Sequence, residues 1–353
     1  MKIVHLIWAF PIGGSELLLV DIVNEQCKYD ELHLIIVNKY YDSTLLQTIS
    51  PRVKIHLLNR TPGSVHVSHL IQLNVLLMKI RPDIIQYHDY NLRGIVLNYT
   101  LKAKIILTAH DVGIPKQYLK TYDKIFAISE AVKNDIWQRS GVAAITILNG
   151  IPCSAIDVKT DYSFDLFKIV QVSRLEHTKK GQDVLIKAVH ELVYHKKITQ
   201  IHVDFIGDGT SLAYLQNMVH NLDLDDYITF LGNRQRTYVY KNLKNYNLLL
   251  QPSLYEGFGL TVVEGVAAGL PVLVSNIEGP KEIIEKLQWG IVFEKGDALD
   301  CALRIKDIME KYGTVTKPEK MHVARNKCIH YYDVIDTAHN YLQEYNNMLV
   351  RGD

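Results

Sequence analysis

Short runs of apolar and β-branched residues recur along the chain at Lys2–Trp8, Leu32–Val37, Val53–Leu58, Asp83–His88, Lys104–His110, Lys124–Ser129 and Ile145–Asn149. Amphipathic or turn-bounded segments separate most of them, so the runs read as strands joined by helices. Near-continuous apolar strands alternating with helices are the pattern of a parallel sheet, because crossover helices cover both faces of each strand. The pattern then restarts, with strands predicted at Phe167–Val172, Ile201–Gly207, Ile228–Leu231, Tyr246–Pro252, Pro271–Ser275 and Gly290–Phe293. Helices are expected over Gly181–Tyr194, Ser211–Asn221, Gly259–Ala268 and Ala298–Tyr312. Polar, aperiodic Gly150–Leu166 reads as the connection between two doubly wound α/β domains. A last segment, Val334–Leu349, puts Val334, Ile335, Ala338, Leu342, Tyr345 and Leu349 on one helical face that must find a partner. The expected division is residues 1–160, 161–332 and a final helix in 333–353.

Composition narrows this picture. A chain of 353 residues is long for one hydrophobic core. With 48% hydrophobic and 22% charged residues it has the make-up of a soluble globular protein. A formal net charge of +1 offers no electrostatic case for nucleic acid. Cys27, Cys153, Cys301 and Cys328 lack C-x-x-C pairing, which argues against a disulfide framework or a cysteine zinc site and fits a reducing cytosol. The apolar stretch Ile3–Phe10 is too short for a signal peptide, and Leu260–Val274 is interrupted by Glu264 and turn residues, so no membrane span is expected. The terminal Arg351-Gly352-Asp353 reads as a frayed end.

In open α/β sheets ligands bind outside the carboxyl ends of the strands, which directs attention to the residues just after each run. The richest place is Ser253-Leu254-Tyr255-Glu256-Gly257-Phe258-Gly259-Leu260-Thr261-Val262-Val263-Glu264, a two-glycine loop between a strand and a helix. Backbone N–H groups at such a helix start favour a diphosphate, and Glu264, about a turn inside, can face the same ligand as Glu256. A carboxylate is a good acceptor for paired ribose or sugar hydroxyls. Read alone, the two glutamates are equally well a solvated helix residue and a turn residue. Ser173-Arg174-Leu175-Glu176-His177-Thr178-Lys179-Lys180-Gly181, after the first strand of the second domain, adds two cations that could neutralise a departing diphosphate. Gly207-Asp208-Gly209 forms a third loop at the same sheet end.

With these residues the second domain resembles glycosyltransferase family 4, one of the GT-B fold families. Glu256 to Glu264 matches that family's E-x7-E motif, Arg174 and Lys180 its phosphate binders, and Gly207 to Gly209 its G-x-G loop. In the first domain Gly13-Gly14-Ser15-Glu16, Thr108-Ala109-His110-Asp111 and Asn149-Gly150 match its glycine-rich loop, T-x-H-D strand end and closing N-G. Gly265 and Val266 stand where the family commonly has Ala and Met, and Glu278-Gly279 where it has paired glycines. An interior helix glycine costs about 0.5–1 kcal/mol relative to Ala, which points to close backbone packing at Gly265.

The resemblance implies a GT-B enzyme, two Rossmann-like domains facing a central cleft, with the C-terminal helix crossing back to the first. It implies a retaining, metal-independent hexosyltransferase that takes a nucleotide-sugar, UDP-linked in the first place and GDP-linked in the second, as substrate and needs no cofactor. Arg174, Lys180, Glu256 and His110 are the expected catalytic residues, with His110 approaching the sugar and phosphate from the opposite domain. Gly13, Gly14, Gly207, Asp208, Gly209, Gly257, Phe258, Gly259, Leu260 and Glu264 are the expected donor-binding residues. Tyr87, His88, Tyr90 and Arg93, at and just after a strand end, are candidates for the acceptor, a glycan or lipid-linked molecule of surface polysaccharide or glycolipid assembly. A cytoplasmic protein is expected, with or without peripheral contact at the inner face of the membrane, and oligomeric state is left open.

Competing patterns fare less well. Asp223-Leu224-Asp225 has the D-x-D form of metal-dependent sugar transferases but falls at the wrong end of a strand. His88-Asp89 and His110-Asp111 lack further ligands converging on one ion, and His66-Val67-Ser68-His69 lacks the spacing of a zinc-protease helix. Ile12-Gly13-Gly14-Ser15-Glu16 is not G-x-G-x-x-G, which argues against a nicotinamide site. Two other readings share the architecture: a nucleotide-sugar 2-epimerase, and a catalytically silent sugar-nucleotide-binding subunit.

Overall fold

The computed structural model describes residues 1–97 and 102–350, so the terminal Arg351-Gly352-Asp353 lies outside the described residues. The chain divides into two compact units, residues 1–151 with the segment from Asp333 onward, and residues 152–332.

The first unit is built on a seven-stranded sheet in the order β3-β2-β1-β4-β5-β6-β7. Its strands are β1 (Lys2–Ile7), β2 (Glu31–Asn38), β3 (Lys54–Arg60), β4 (Ile84–Tyr87), β5 (Lys104–Ala109), β6 (Lys124–Ala127) and β7 (Ile145–Thr146), and every pairing is parallel. The second unit has six parallel strands in the order β10-β9-β8-β11-β12-β13. They are β8 (Phe167–Val172), β9 (Ile201–Ile206), β10 (Ile228–Gly232), β11 (Leu248–Gln251), β12 (Val272–Ser275) and β13 (Ile291–Phe293). Both orders reverse direction beside the first strand, the feature that opens a crevice at the carboxyl ends.

Each predicted strand coincides with an observed one to within a few residues at its ends, because runs buried on both faces leave little doubt about period. Leu32, Leu34, Ile35 and Ile36 of β2, for example, are all fully buried. The helix expected over Gly181–Tyr194 is Gln182–His190 continued by a single π turn, Glu191–His195. One long helix, Pro318–Tyr332, is absent from the sequence reading. It is largely polar and buries only Met321, Ala324, Cys328 and Tyr332. Through this stripe it packs on the helix Leu260–Ala267, where Arg325 Nε donates to the Ala267 carbonyl at 3.1 Å.

The segment 152–160 belongs to the second unit and not to the first, which moves the boundary from 160 to 151. Asp157 N–H donates to Tyr240 O at 3.1 Å and Lys159 N–H to Ala268 O at 2.8 Å, which ties it down. The last helix, Val334–Val350, packs on the first unit's helix Gly14–Gln26 and closes against β6 through Tyr341 and Phe126, 5.3 Å between ring centres. Lys124 and Glu344 form an ion pair at 2.7 Å. Gly150 explains how the chain returns: a Cβ there would meet Thr337 Oγ1 at 2.5 Å and Val334 N at 2.7 Å, so only glycine lets the two segments touch.

Candidate active site

In the second unit the loops after β8, β9 and β11 are locked together by backbone contacts. Leu175 N–H donates to Asp208 O and Ser211 N–H to Leu175 O, each at 3.0 Å. A Cβ on Gly207 would stand 2.0 Å from Ser173 O, and one on Gly209 2.4 Å from Leu175 O. These glycines are therefore already required by loop-on-loop packing, before any ligand is considered. Gly181 has φ +64°, and its Cβ would lie 1.9 Å from Pro252 O. The turn carrying Lys180 is thereby laid on the end of β11, where Lys179 O accepts from Leu254 N–H at 2.8 Å.

That packing brings the predicted charges together. Lys180 Nζ lies 2.5 Å from Glu256 Oε2, and both side chains are largely buried. Gln251 Nε2 donates to the same Glu256 oxygen at 2.9 Å, while Gln251 Oε1 accepts from Thr261 Oγ1 at 3.0 Å. Lys180 in turn is held by its own carbonyl, which accepts from Gln171 Nε2 at 2.9 Å. Gln182 Nε2 donates to Ser173 Oγ and Arg174 O, at 2.9 and 2.8 Å. The three buried glutamines, Gln171, Gln182 and Gln251, form a supporting layer that the motif reading missed. For Gln171 and Gln251 the signal was in the sequence: an amide at or next to the end of otherwise apolar β8 and β11 must find partners once buried, whereas Gln182, at the start of a helix, carried no such mark.

Arg174 extends into solvent, its guanidinium 3.8 Å from Glu176. Such a loosely paired cation is free to engage an anion. Glu264 lies on the helix Leu260–Ala267 and accepts from Tyr240 OH at 3.2 Å; the Arg236 guanidinium sits over the Tyr240 ring at 5.1 Å. Gly259 caps this helix in the left-handed region, φ +110°. Asp208 turns back to accept from Gly209 N–H. Phe258 is buried with its ring against Tyr332, 5.8 Å between centres, so its side chain packs into the core. The departure at Gly265 has a steric side: a Cβ there would press Leu249 Cδ1 and Val272 Cγ1 at 3.0 Å. Gly279, the glycine of the Glu278-Gly279 pair that matches the family, is required by close packing, since a Cβ would strike Phe258 N at 2.8 Å and Glu256 O at 2.9 Å.

In the first unit Gly13 precedes the helix Gly14–Gln26. His110 follows β5 and shares a hydrogen bond with His88, Nε2 to Nδ1 at 3.1 Å. Burial holds His110 down at about 4 and His88 well below its ordinary value, so both rings are neutral near pH 7. The acceptor candidates fall in two groups, Tyr87 and His88 being buried and Tyr90 and Arg93 partly exposed. Tyr87 is fully inside the core of β4, and His88 is buried between two other histidines. The Tyr90 ring lies tilted against Tyr118, 5.1 Å between centres, and Arg93 donates to Thr121 O and Val96 O, at 3.3 and 3.2 Å. The side chains of Tyr90 and Arg93 brace the loop after β4. Asp223-Leu224-Asp225 occupies the turn before β10, where Asp225 pairs with His220 in solvent, at the opposite sheet end from Lys180.

Residues 159–327 match the family model of glycosyl transferases group 1. The chain is a homologue of glycosyltransferases and has the GT-B fold. An uncharacterised glycosyltransferase of Methanocaldococcus jannaschii is 27% identical over 85% of this chain and 86% of its own length. The amylovoran biosynthesis glycosyltransferase AmsK of Erwinia amylovora is 26% identical over 56% of this chain and 53% of its own. Among solved structures, Anabaena HepE in complex with UDP and glucose superposes with a TM-score of 0.83 at 18% identity, covering 98% of this chain and all of that one. No helix among the described residues is long and apolar enough to cross a membrane.

Proposed function

We propose that the protein is a retaining, metal-independent glycosyltransferase that moves a sugar from a UDP-sugar to a glycan or lipid-linked acceptor in polysaccharide or glycoconjugate assembly. The observation that carries this reading is the cluster at the carboxyl ends of β8 and β11. Lys180 Nζ and Gln251 Nε2 both donate to Glu256 Oε2, and the loop that leads to Lys180 also carries the exposed Arg174. The matched family model spans the whole cluster. HepE, which shares the fold, is described in complex with UDP and glucose, which favours uridine as the base to test first.

The division of labour follows from charge. As the glycosidic bond breaks, negative charge grows on the diphosphate oxygens, and fixed cations stabilise that state more than the ground state. Lys180 and Arg174 take this part, which a metal ion takes in other transferases. Glu256 holds Lys180 in place and offers its second oxygen to a sugar hydroxyl, and Glu264 accepts from the ribose.

Purified protein incubated with UDP-, GDP- and ADP-sugars in excess chelator, and followed by mass spectrometry, should slowly hydrolyse one donor and release the nucleotide. Loss of that activity in EDTA with return on Mn²⁺ or Mg²⁺ would refute metal independence. A donor whose sugar is isomerised while still attached to the nucleotide would refute transfer in favour of epimerisation.

A further inference from the structure

Three histidines of the first unit form one continuous hydrogen-bonded row: His5 on β1, His88 just after β4 and His110 just after β5. Nδ1 of His5 lies 3.0 Å from Nε2 of His88, and Nδ1 of His88 lies 3.1 Å from Nε2 of His110. The rings stack, with centres 5.3 and 5.4 Å apart and planes within 30°. At the inner end Nε2 of His5 lies 2.9 Å from Oε1 of Gln26, the last residue of the helix Gly14–Gln26. His5 and Gln26 are fully buried, and beyond Gln26 stands the Tyr345 hydroxyl of the final helix. None of this was singled out as a unit in the sequence, where the three histidines lie on three strands.

A neutral imidazole has one donor nitrogen and one acceptor nitrogen, and each nitrogen-to-nitrogen contact holds a single proton. Burial excludes the doubly protonated form. The row therefore has two proton arrangements only: every ring protonated on Nε2, or every ring on Nδ1. The choice is made at Gln26. In the amide orientation of this structure Gln26 Oε1 faces His5 Nε2, while Gln26 Nε2 is buried with no hydrogen-bond partner. That orientation requires a proton on His5 Nε2, so the Nε2 position of His88 donates to His5, and that of His110 donates to His88. Nδ1 of His110 is left bare at the carboxyl end of the sheet.

We propose that Gln26, acting through His5 and His88, sets the proton placement of His110 and so makes its Nδ1 a hydrogen-bond acceptor for a ligand hydroxyl. Gln26, His5 and His88 are positioning residues in this scheme, and His110 is the one that touches the ligand. A bare Nδ1 suits a sugar hydroxyl, which can donate, and does not suit a phosphate oxygen, which cannot. This rests on the transferase reading only for the identity of the ligand.

The test is nitrogen NMR of protein labelled at histidine, which reports the protonated nitrogen of each ring and the N–H···N coupling between rings. In the wild type His88 and His110 should each carry the proton on Nε2, coupled to the Nδ1 of the preceding ring. Gln26→Glu keeps an acceptor at the end of the row and should keep this signature at His110. Gln26→Met removes the acceptor, and His110, two rings away, should then populate both nitrogens. A wild-type His110 protonated on Nδ1 would overturn the proposal, as would a Gln26→Met protein, folded by circular dichroism, whose His110 signals match the wild type. No donor is needed for the measurement, so failure of the nucleotide-sugar panel would remove the proposed activity and leave this result standing.

Discussion

Gly279→Ala is expected to damage the protein out of proportion to one added methyl group, and Gly265→Ala is not. The difference lies in what each Cβ would meet. At Gly279 the contacts are backbone: Phe258 N at 2.8 Å, Glu256 O at 2.9 Å and the Gly257 carbonyl carbon at 2.9 Å. The helix Glu278–Leu287 would have to retreat from the loop that carries Glu256, or push that loop aside. Overpacking of this kind costs about 1–3 kcal/mol, and for a domain of this size each kcal/mol lowers Tm by about 2–4 °C. A drop of about 5 °C is expected, with turnover reduced further because the displaced loop holds Glu256 against Lys180. At Gly265 the nearest atoms are the methyl tips of Leu249 and Val272 at 3.0 Å, which can rotate, although Leu249 Cβ at 3.1 Å gives less readily. Alanine there also gains about 0.5–1 kcal/mol of helix propensity. The net change should stay within about 1 kcal/mol, since the gain and the crowding oppose each other. Thermal unfolding and donor consumption measured on both variants decide the matter. If Gly265→Ala proves the more harmful, or Gly279→Ala melts and turns over like the wild type, the steric account of the loop is wrong.

Three further outcomes are expected. Lys180→Ala and Arg174→Ala should each lower turnover at saturating donor by about 10²–10³, the usual loss for one preorganised electrostatic contact; a change confined to the donor Kd would make them simple anchors. Glu264→Ala should weaken donor binding by roughly 10- to 100-fold, since a hydrogen bond to a charged partner contributes about 1.5–3 kcal/mol. An unchanged Kd by calorimetry removes Glu264 from the site. Finally, His5 and His110 are held near 4 against an ordinary 6.5, so the unfolded chain binds more protons between those values. The stability they confer is complete above pH 6.5 and is lost as pH falls toward 4. For His5 alone this amounts to about 3 kcal/mol by pH 4. Hydrogen exchange in peptides from β1 and β5, corrected for intrinsic rates, should show opening eased from pH 6.5 to 5, and a flat profile would contradict the neutral row.

The chain's own pattern determined the strand series, its restart after residue 166 and the parallel character of both sheets, because strands buried on two faces must be apolar nearly throughout. It also placed Arg174, Lys180 and Glu256 at strand ends, since the ends of an apolar run are visible without coordinates. Period, by contrast, says nothing about distance between segments far apart in sequence. The pairing of Lys180 with Glu256 depends on Gly181 lying against the carbonyl of Pro252, a contact between residues 71 apart that only the folded chain reveals. The same limit explains Tyr87: an aromatic ring at a strand end can face a ligand or a core, and the helices packed over the sheet decided for the core. The histidine row is the clearest case. His5, His88 and His110 lie on β1 or just beyond β4 and β5, which are neighbours because the strand order runs β1-β4-β5, and that order is settled by how crossover helices cover the sheet and not by any local preference of the histidines.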